Sequence, residues 1–169
     1  MQVTGYKLQH AIREANDLKN LTASQWDDSL HAFADDKKMS PEDVMEKYLK
    51  HERRMVALQV AQAKYNLAVN VRVLDKEMTL CEAIKLVGGA GRTEKMWKAA
   101  AGGKKRDRYS YRDDLTRDAG QERAERTITI EAALAQATSA SRYAAALREA
   151  IQTGNATVID IDLDPDLFE

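Results

Sequence analysis

The sequence predicts a mainly all-α protein, an antiparallel bundle of about four helices with one or two short β-strands near residues 126–130 and 157–163. Three observations carry that prediction. Apolar residues recur at three- and four-residue steps over long stretches, the period of an amphipathic helix. Helix start signals stand at the head of two of those stretches. Two prolines and eight glycines in 169 residues leave long runs free of backbone breakers.

The first helix is expected from about Tyr6 to Ala34, where Leu8, Ile12, Ala15, Leu18, Trp26, Leu30 and Phe33 form a stripe with one gap around Thr22. The polar run Asp35-Asp36-Lys37-Lys38 ends it. Ser40-Pro41-Glu42-Asp43 then supplies an N-cap, a proline at the first helical position and acids against the helix dipole. The second helix, to about Asn66, carries Val44, Tyr48, Met55, Leu58, Gln62 and Tyr65 near one face. Residues 67–78, rich in β-branched side chains with a charged turn, predict a short extended connection. Thr79-Leu80-Cys81-Glu82 is a capping box that starts a third helix at Leu80. Gly88, Gly89 and Gly91 are expected to weaken or interrupt it, at about 1 kcal/mol each relative to alanine. Gly102-Gly103 should stop it near Ala101. Arg126-Thr127-Ile128-Thr129-Ile130 alternates like a strand. A final helix is expected over Ala132–Gln152, with Leu134, Tyr143, Leu147 and Ile151 on its apolar side and Gly154-Asn155 at its end. From Val158 to Asp164 apolar and acidic residues alternate, as in a half-buried edge strand or an extended tail. The stripes nominate Trp26, Leu30, Val44, Tyr48, Leu58, Leu80, Ile84, Leu134 and Leu147 as core.

At this length the chain is expected to be one helical domain over residues 1–169, with a charged excursion at 102–126 and an acidic tail at 157–169. Hydrophobic residues at 44% against 31% charged place it among globular chains rather than disordered ones. A net charge of −1 argues against coating nucleic acid through global charge. The lone Cys81 cannot form an internal disulfide, which suits a reducing compartment. MQVTGYKLQHAIRE lacks the apolar core of a signal peptide, and no apolar run approaches the ~18–20 residues that cross a bilayer. A cytoplasmic location without stable membrane insertion is the expectation.

Several motifs fail on the spacing their chemistry needs. His51-Glu52-Arg53-Arg54-Met55 opens like a zinc-protease helix, but the second imidazole must stand where Met55 does. Gly88-Gly89-Ala90-Gly91-Arg92-Thr93 lacks the glycine spacing and the strand of a phosphate-binding loop, so a helix kink or close helix packing is the plainer reading, with a backbone anion nest as the alternative. Asp160-x-Asp162-x-Asp164 resembles the start of a calcium loop, but Pro165 takes the glycine position and the twelfth position is missing. Cys81 lies near a helix N-terminus, where a thiol pKa can fall, yet a small packing residue is the plainer reading. Asp27-Asp28 and Asp113-Asp114 read as solvated surface. No metal, cofactor or catalytic residue is nominated.

The segment from Arg92 to Arg112 stands apart. It holds eight basic residues against two acids, a net of +6, with Trp97, Tyr109 and Tyr111 interleaved. Cations bind phosphate oxygens and flat rings stack on bases. Arg92, Lys95, Lys104, Lys105, Arg106, Arg108, Tyr109, Tyr111 and Arg112 are therefore the candidate ligand-binding set, for a nucleotide or another polyanion. The bland alternative is a solvated arm, or a strap held by acids such as those of the tail.

The order of KLQHAIREANDLKN, SPEDVMEKYLKHERRM, YNLAVNVRVLDKEMTLCEAI, RDRYS and LREAIQTGNATVID resembles a family of small bacterial helical proteins that carry a septicolysin-like label. The family's pieces correspond to Asn66 or Asn70, Thr79-Leu80, Arg108-Tyr109-Ser110 and Ile151 to Asn155, and the chain departs from it at GGAGR and in the acidic tail. The resemblance implies a helical fold and oligomerisation and carries little about function. The expected function is a non-enzymatic, homo-oligomeric binding or assembly protein that holds an anionic ligand through 92–112. A membrane-active toxin is one alternative. A hydrolase, for which no nucleophile–base pair stands out, is the other.

Overall fold

The structure is a computed structural model that describes residues 1–31, 38–102 and 127–168. It is mainly helical with two small two-stranded sheets. In chain order the elements are β1 (Gln2–Val3), α1 (Gly5–Ser24), α2 (Trp26–Ser29), α3 (Pro41–Ala68), β2 (Asn70–Val73), β3 (Lys76–Thr79), α4 (Leu80–Ala101), α5 (Ile130–Ala156) and β4 (Ile159–Asp160). A 3₁₀ turn over Pro165–Phe168 follows. The chain divides into two compact units, one of residues 1–83 with 150–169 and one of residues 84–149.

Side chains cap each long helix where it begins. Thr4 accepts from the Lys7 N–H at 3.1 Å, and Ser40 accepts from the Asp43 N–H at 3.1 Å. Thr79 and Glu82 form the reciprocal box, with Thr79 N–H donating to Glu82 Oε2 at 2.7 Å and Glu82 N–H donating to Thr79 Oγ1 at 3.2 Å. The same bonds, the Thr79 N–H first, hold the Glu82 carboxyl below its usual pKa. The fourth cap is Thr129, whose hydroxyl accepts from the Ala132 N–H at 3.1 Å. This overturns the strand expected near 126–130: Thr127–Thr129 lead into the cap and Ile130 is already helical, while Arg126 lies outside the described residues. The two threonines alternate with isoleucine because one of them caps a helix, not because the segment is pleated.

In the first unit α1 and α3 run antiparallel, with Glu14 opposite Arg54 and Lys19 opposite Glu52. Lys19 Nζ meets Glu52 Oε2 at 3.2 Å and Arg54 Nη2 meets Glu14 Oε2 at 3.8 Å, both as ion pairs without an aligned hydrogen bond. The core includes Val3, Leu8, Ala11, Ala15, Val44, Met55, Leu58, Ala61, Tyr65, Val71, Val73 and Leu80. The extended connection is a hairpin in register Asn70↔Thr79 to Val73↔Lys76, turning at Leu74-Asp75. Leu74 has φ +54°, a left-handed conformation in which a Cβ is crowded.

The ends of the chain meet. Strand β4 pairs antiparallel with β1, Gln2 opposite Asp160 and Val3 opposite Ile159. The Met1 ammonium donates to Ile161 O at 2.8 Å, Arg54 Nε donates to Leu167 O at 2.9 Å, and Lys7 Nζ lies 4.7 Å from the centre of the Phe168 ring. The acidic tail thus finds its strand partner in β1 of the same chain. Ile128 lies in the approach to α5, and Ile130 is its first residue.

The second unit holds most of α4 and α5, antiparallel, and buries Ala90, Ala133, Ala137, Ala144 and Leu147. Helix α4 is unbroken from Leu80 to Ala101, so Gly88, Gly89 and Gly91 do not interrupt it. Nor do they mark a close approach, since a Cβ at each would come no nearer than 3.7 Å to another group. The first helix breaks earlier than its stripe implies, at Gln25, and residues 32–34 of its expected end lie outside the described residues. Of the nine nominated core residues, Val44, Leu58, Leu80 and Leu147 are buried, Trp26, Tyr48 and Ile84 half-buried, and Leu30 and Leu134 exposed.

Candidate functional site

Arg92 and Lys95 are the two members of the candidate anion site that the structure describes. Lys104, Lys105, Arg106, Arg108, Tyr109, Tyr111 and Arg112 lie outside the described residues. Three residues apart on α4, Arg92 and Lys95 share one side of the helix and are both exposed. The Arg92 guanidinium folds back over the preceding turn, its nitrogens 3.7 and 3.9 Å from where Cβ atoms would stand on Gly88 and Gly89. Because that turn is regular helix, its N–H groups face the carbonyls four residues earlier and form no anion nest.

Glu94, between the two cations in sequence, faces the other way. Its carboxylate accepts from Lys98 Nζ at 2.7 Å, Ser141 Oγ at 3.0 Å and Arg148 Nη2 at 3.2 Å, joining α4 to α5. Those three donors, Lys98 foremost, hold its pKa at about 2 against the usual 4.5. One anion satisfied by two cations and a hydroxyl is a clasp between helices. Beside it Lys98, Ala101, Gly102, Leu134, Ala137, Thr138 and Ser141 line a shallow depression of about 450 Å³.

In the first unit another polar knot surrounds Tyr65. Its hydroxyl lies 2.6 Å from both Gly154 O and Thr157 O, and Gln9 Nε2 donates to Asn155 Oδ1 at 3.3 Å. Burial pushes the Tyr65 phenol up, and a hydrogen bond from the Gly5 backbone opposes it. Gly5 and Gly154 are required here: a Cβ on Gly5 would come within 2.9 Å of the Tyr65 ring, and one on Gly154 within 2.7 Å of Val71. The knot ties the end of α5 to α1 and α3. His51, on α3, is held below its usual pKa by burial and then by Arg54, Lys50 and Lys47. Among the described residues no group of three His, Cys, Asp or Glu side chains could hold a metal ion.

The feature missed in the sequence is the outer face of α3. Met45 is 40% exposed, Leu49 41%, Val56 48%, Val60 50% and Leu67 62%. They recur at intervals of four, seven, four and seven, opposite the stripe that fills the core. The signal was legible, since α3 carries two apolar stripes, and only one stripe of a helix can face its own core. Comparison with protein-family models, curated proteins and solved structures returned no match.

Proposed function

We propose that the chain is a non-enzymatic assembly protein that works by presenting helix faces to other protein. The apolar outer face of α3 supports this most directly: five large apolar side chains, each at least 40% exposed, lie along one helix. Contiguous exposed apolar surface marks interaction sites, whereas scattered residues do not. The prediction is self-association that rises with concentration. Sedimentation velocity from about 1 to 100 μM, a range that brackets interfaces of modest size, should show it. A single monomer boundary throughout would end the homo-oligomeric version.

A second reading rests on Arg92 and Lys95, exposed side by side on α4 at the head of the basic run. It has the run from Arg92 to Arg112 hold a nucleotide or another polyanion by phosphate contacts, in a cytoplasmic protein. Changing Lys104, Lys105 and Arg106 to alanine should then weaken binding and flatten its salt dependence. A thermal-shift screen with nucleotides at low salt tests it, and no shift would make the run structural. No described helix is long and apolar enough to cross a membrane. Leakage from liposomes would nonetheless favour the toxin-like alternative over both readings.

A further inference from the structure

We infer that the outer face of α3 pairs with the same face of a second copy of this chain, as an antiparallel helix pair about a twofold axis level with Leu58. The inference deepens the assembly reading and rests on it. At 100° per residue, Met45, Leu49, Val56, Val60, Ala63 and Leu67 fall within a sector about 60° wide. Val44, Met55, Leu58 and Tyr65, all buried, lie on the other side of the helix. Positions 49, 53, 56, 60, 63 and 67 alternate steps of four and three, the spacing that brings a seam onto a facing helix in knobs-into-holes packing.

What identifies the occupant is that the seam is its own complement. With two α3 helices antiparallel about Leu58, Leu49 meets Leu67 of the second copy, Val56 meets Val60, and Arg53 meets Ala63. Each layer sets equal side chains together or the largest against the smallest, and the symmetry repeats every match on the other half. A parallel pair in register instead stacks Arg53 on Arg53, like charge on like charge in a layer that excludes water. An isologous contact of this kind closes at two copies and leaves no sticky end.

The area agrees with a reversible dimer. From Met45 to Leu67 the seam runs about 33 Å at 1.5 Å per residue, one helix diameter of about 10 Å wide. A strip of that size is roughly 330 Å² on each copy and about 660 Å² in total, below the ~1,200 Å² at which stable specific interfaces begin and in the range of weak, transient ones. Weak, reversible association is expected from an interface of that class.

Two experiments on the full chain test it. In sedimentation velocity the wild type should dimerise, and Val56→Glu with Val60→Glu should weaken dimerisation at least 100-fold while the helical circular-dichroism signal stays unchanged, because both side chains are half exposed in the single chain. In a Cys81→Ser background, oxidised Leu49→Cys and Leu67→Cys variants should cross-link to each other when mixed, and neither should cross-link to itself. Two copies of position 49 stand about 27 Å apart in the antiparallel pair. A wild-type dimer that ignores the glutamates overturns the seam and leaves the assembly reading standing. Self-linking of Leu49→Cys overturns the antiparallel register. A wild type that stays monomeric overturns both the pairing and the homo-oligomeric reading, and a monomer destabilised by the glutamates identifies the chain itself as the cover of this face.

Discussion

Tyr65 shows how much one side chain carries in this fold. Its ring is fully buried against Gly5, and its hydroxyl has two carbonyls within 2.6 Å. Tyr65→Phe keeps the ring and removes the one O–H donor that those two carbonyls share, so chemical denaturation should report a loss of about 1–3 kcal/mol. Leu58 is fully buried and purely apolar. Truncating it to alanine should cost on the order of 2–5 kcal/mol through lost transfer energy and the cavity left behind. Leu74 runs the other way. At φ +54° and 42% exposed, it bears left-handed strain with little burial in return. Leu74→Gly should therefore stabilise the β2–β3 hairpin by about 1 kcal/mol, net of glycine's greater entropy loss. A lower midpoint than wild type would show that the Leu74 side chain contributes packing that outweighs its strain.

Between elements, the clasp at Glu94 makes the α4–α5 contact sensitive to acid. A carboxylate held at about 2 in the fold and 4.5 when free contributes stability above pH 4.5, and loses it as the pH falls toward 2. Glu94→Gln should lower the melting temperature at pH 7, and the gap to wild type should close as the pH drops through that window. Lys98 and Arg148 are more than half exposed, so added salt should shrink the gap as well. A gap independent of pH would mean that the hydrogen-bond geometry of Glu94 matters and its charge does not. The β1–β4 pair is the other joint of this kind. Because the tail is held by Met1, Arg54 and β1 of its own chain, removing residues 158–169 should lower the melting temperature and leave the assembly state to α3.

For the whole molecule, the exposed apolar area on α3 outweighs any single polar cluster as a guide to function. The polar clusters at Glu94 and Tyr65 hold helices together. Among the described residues, the face from Met45 to Leu67 has no such account. Its antiparallel self-pairing predicts a weak dimer that forms and dissociates with concentration, with light scattering as the readout.

Helix positions could be derived from residue order because the forces that start and stop a helix act over three or four residues. Ser40, Pro41, Thr79 and Glu82 work on N–H groups within one turn, and the structure repeats those caps at the same residues. The apolar stripes were equally legible. Which stripe is covered was not, since that depends on elements far away along the chain: α3 buries Leu58 and exposes Val60 although both are apolar. The same distance hid the partner of the tail, because Gln2 and Asp160 meet only once the helices between them have packed. Thr127 to Ile130 marks the limit of local patterns. Four residues of alternation suit a strand or a capped helix start equally, and with no paired strand at this segment, Thr129 capping the turn it begins settled the choice.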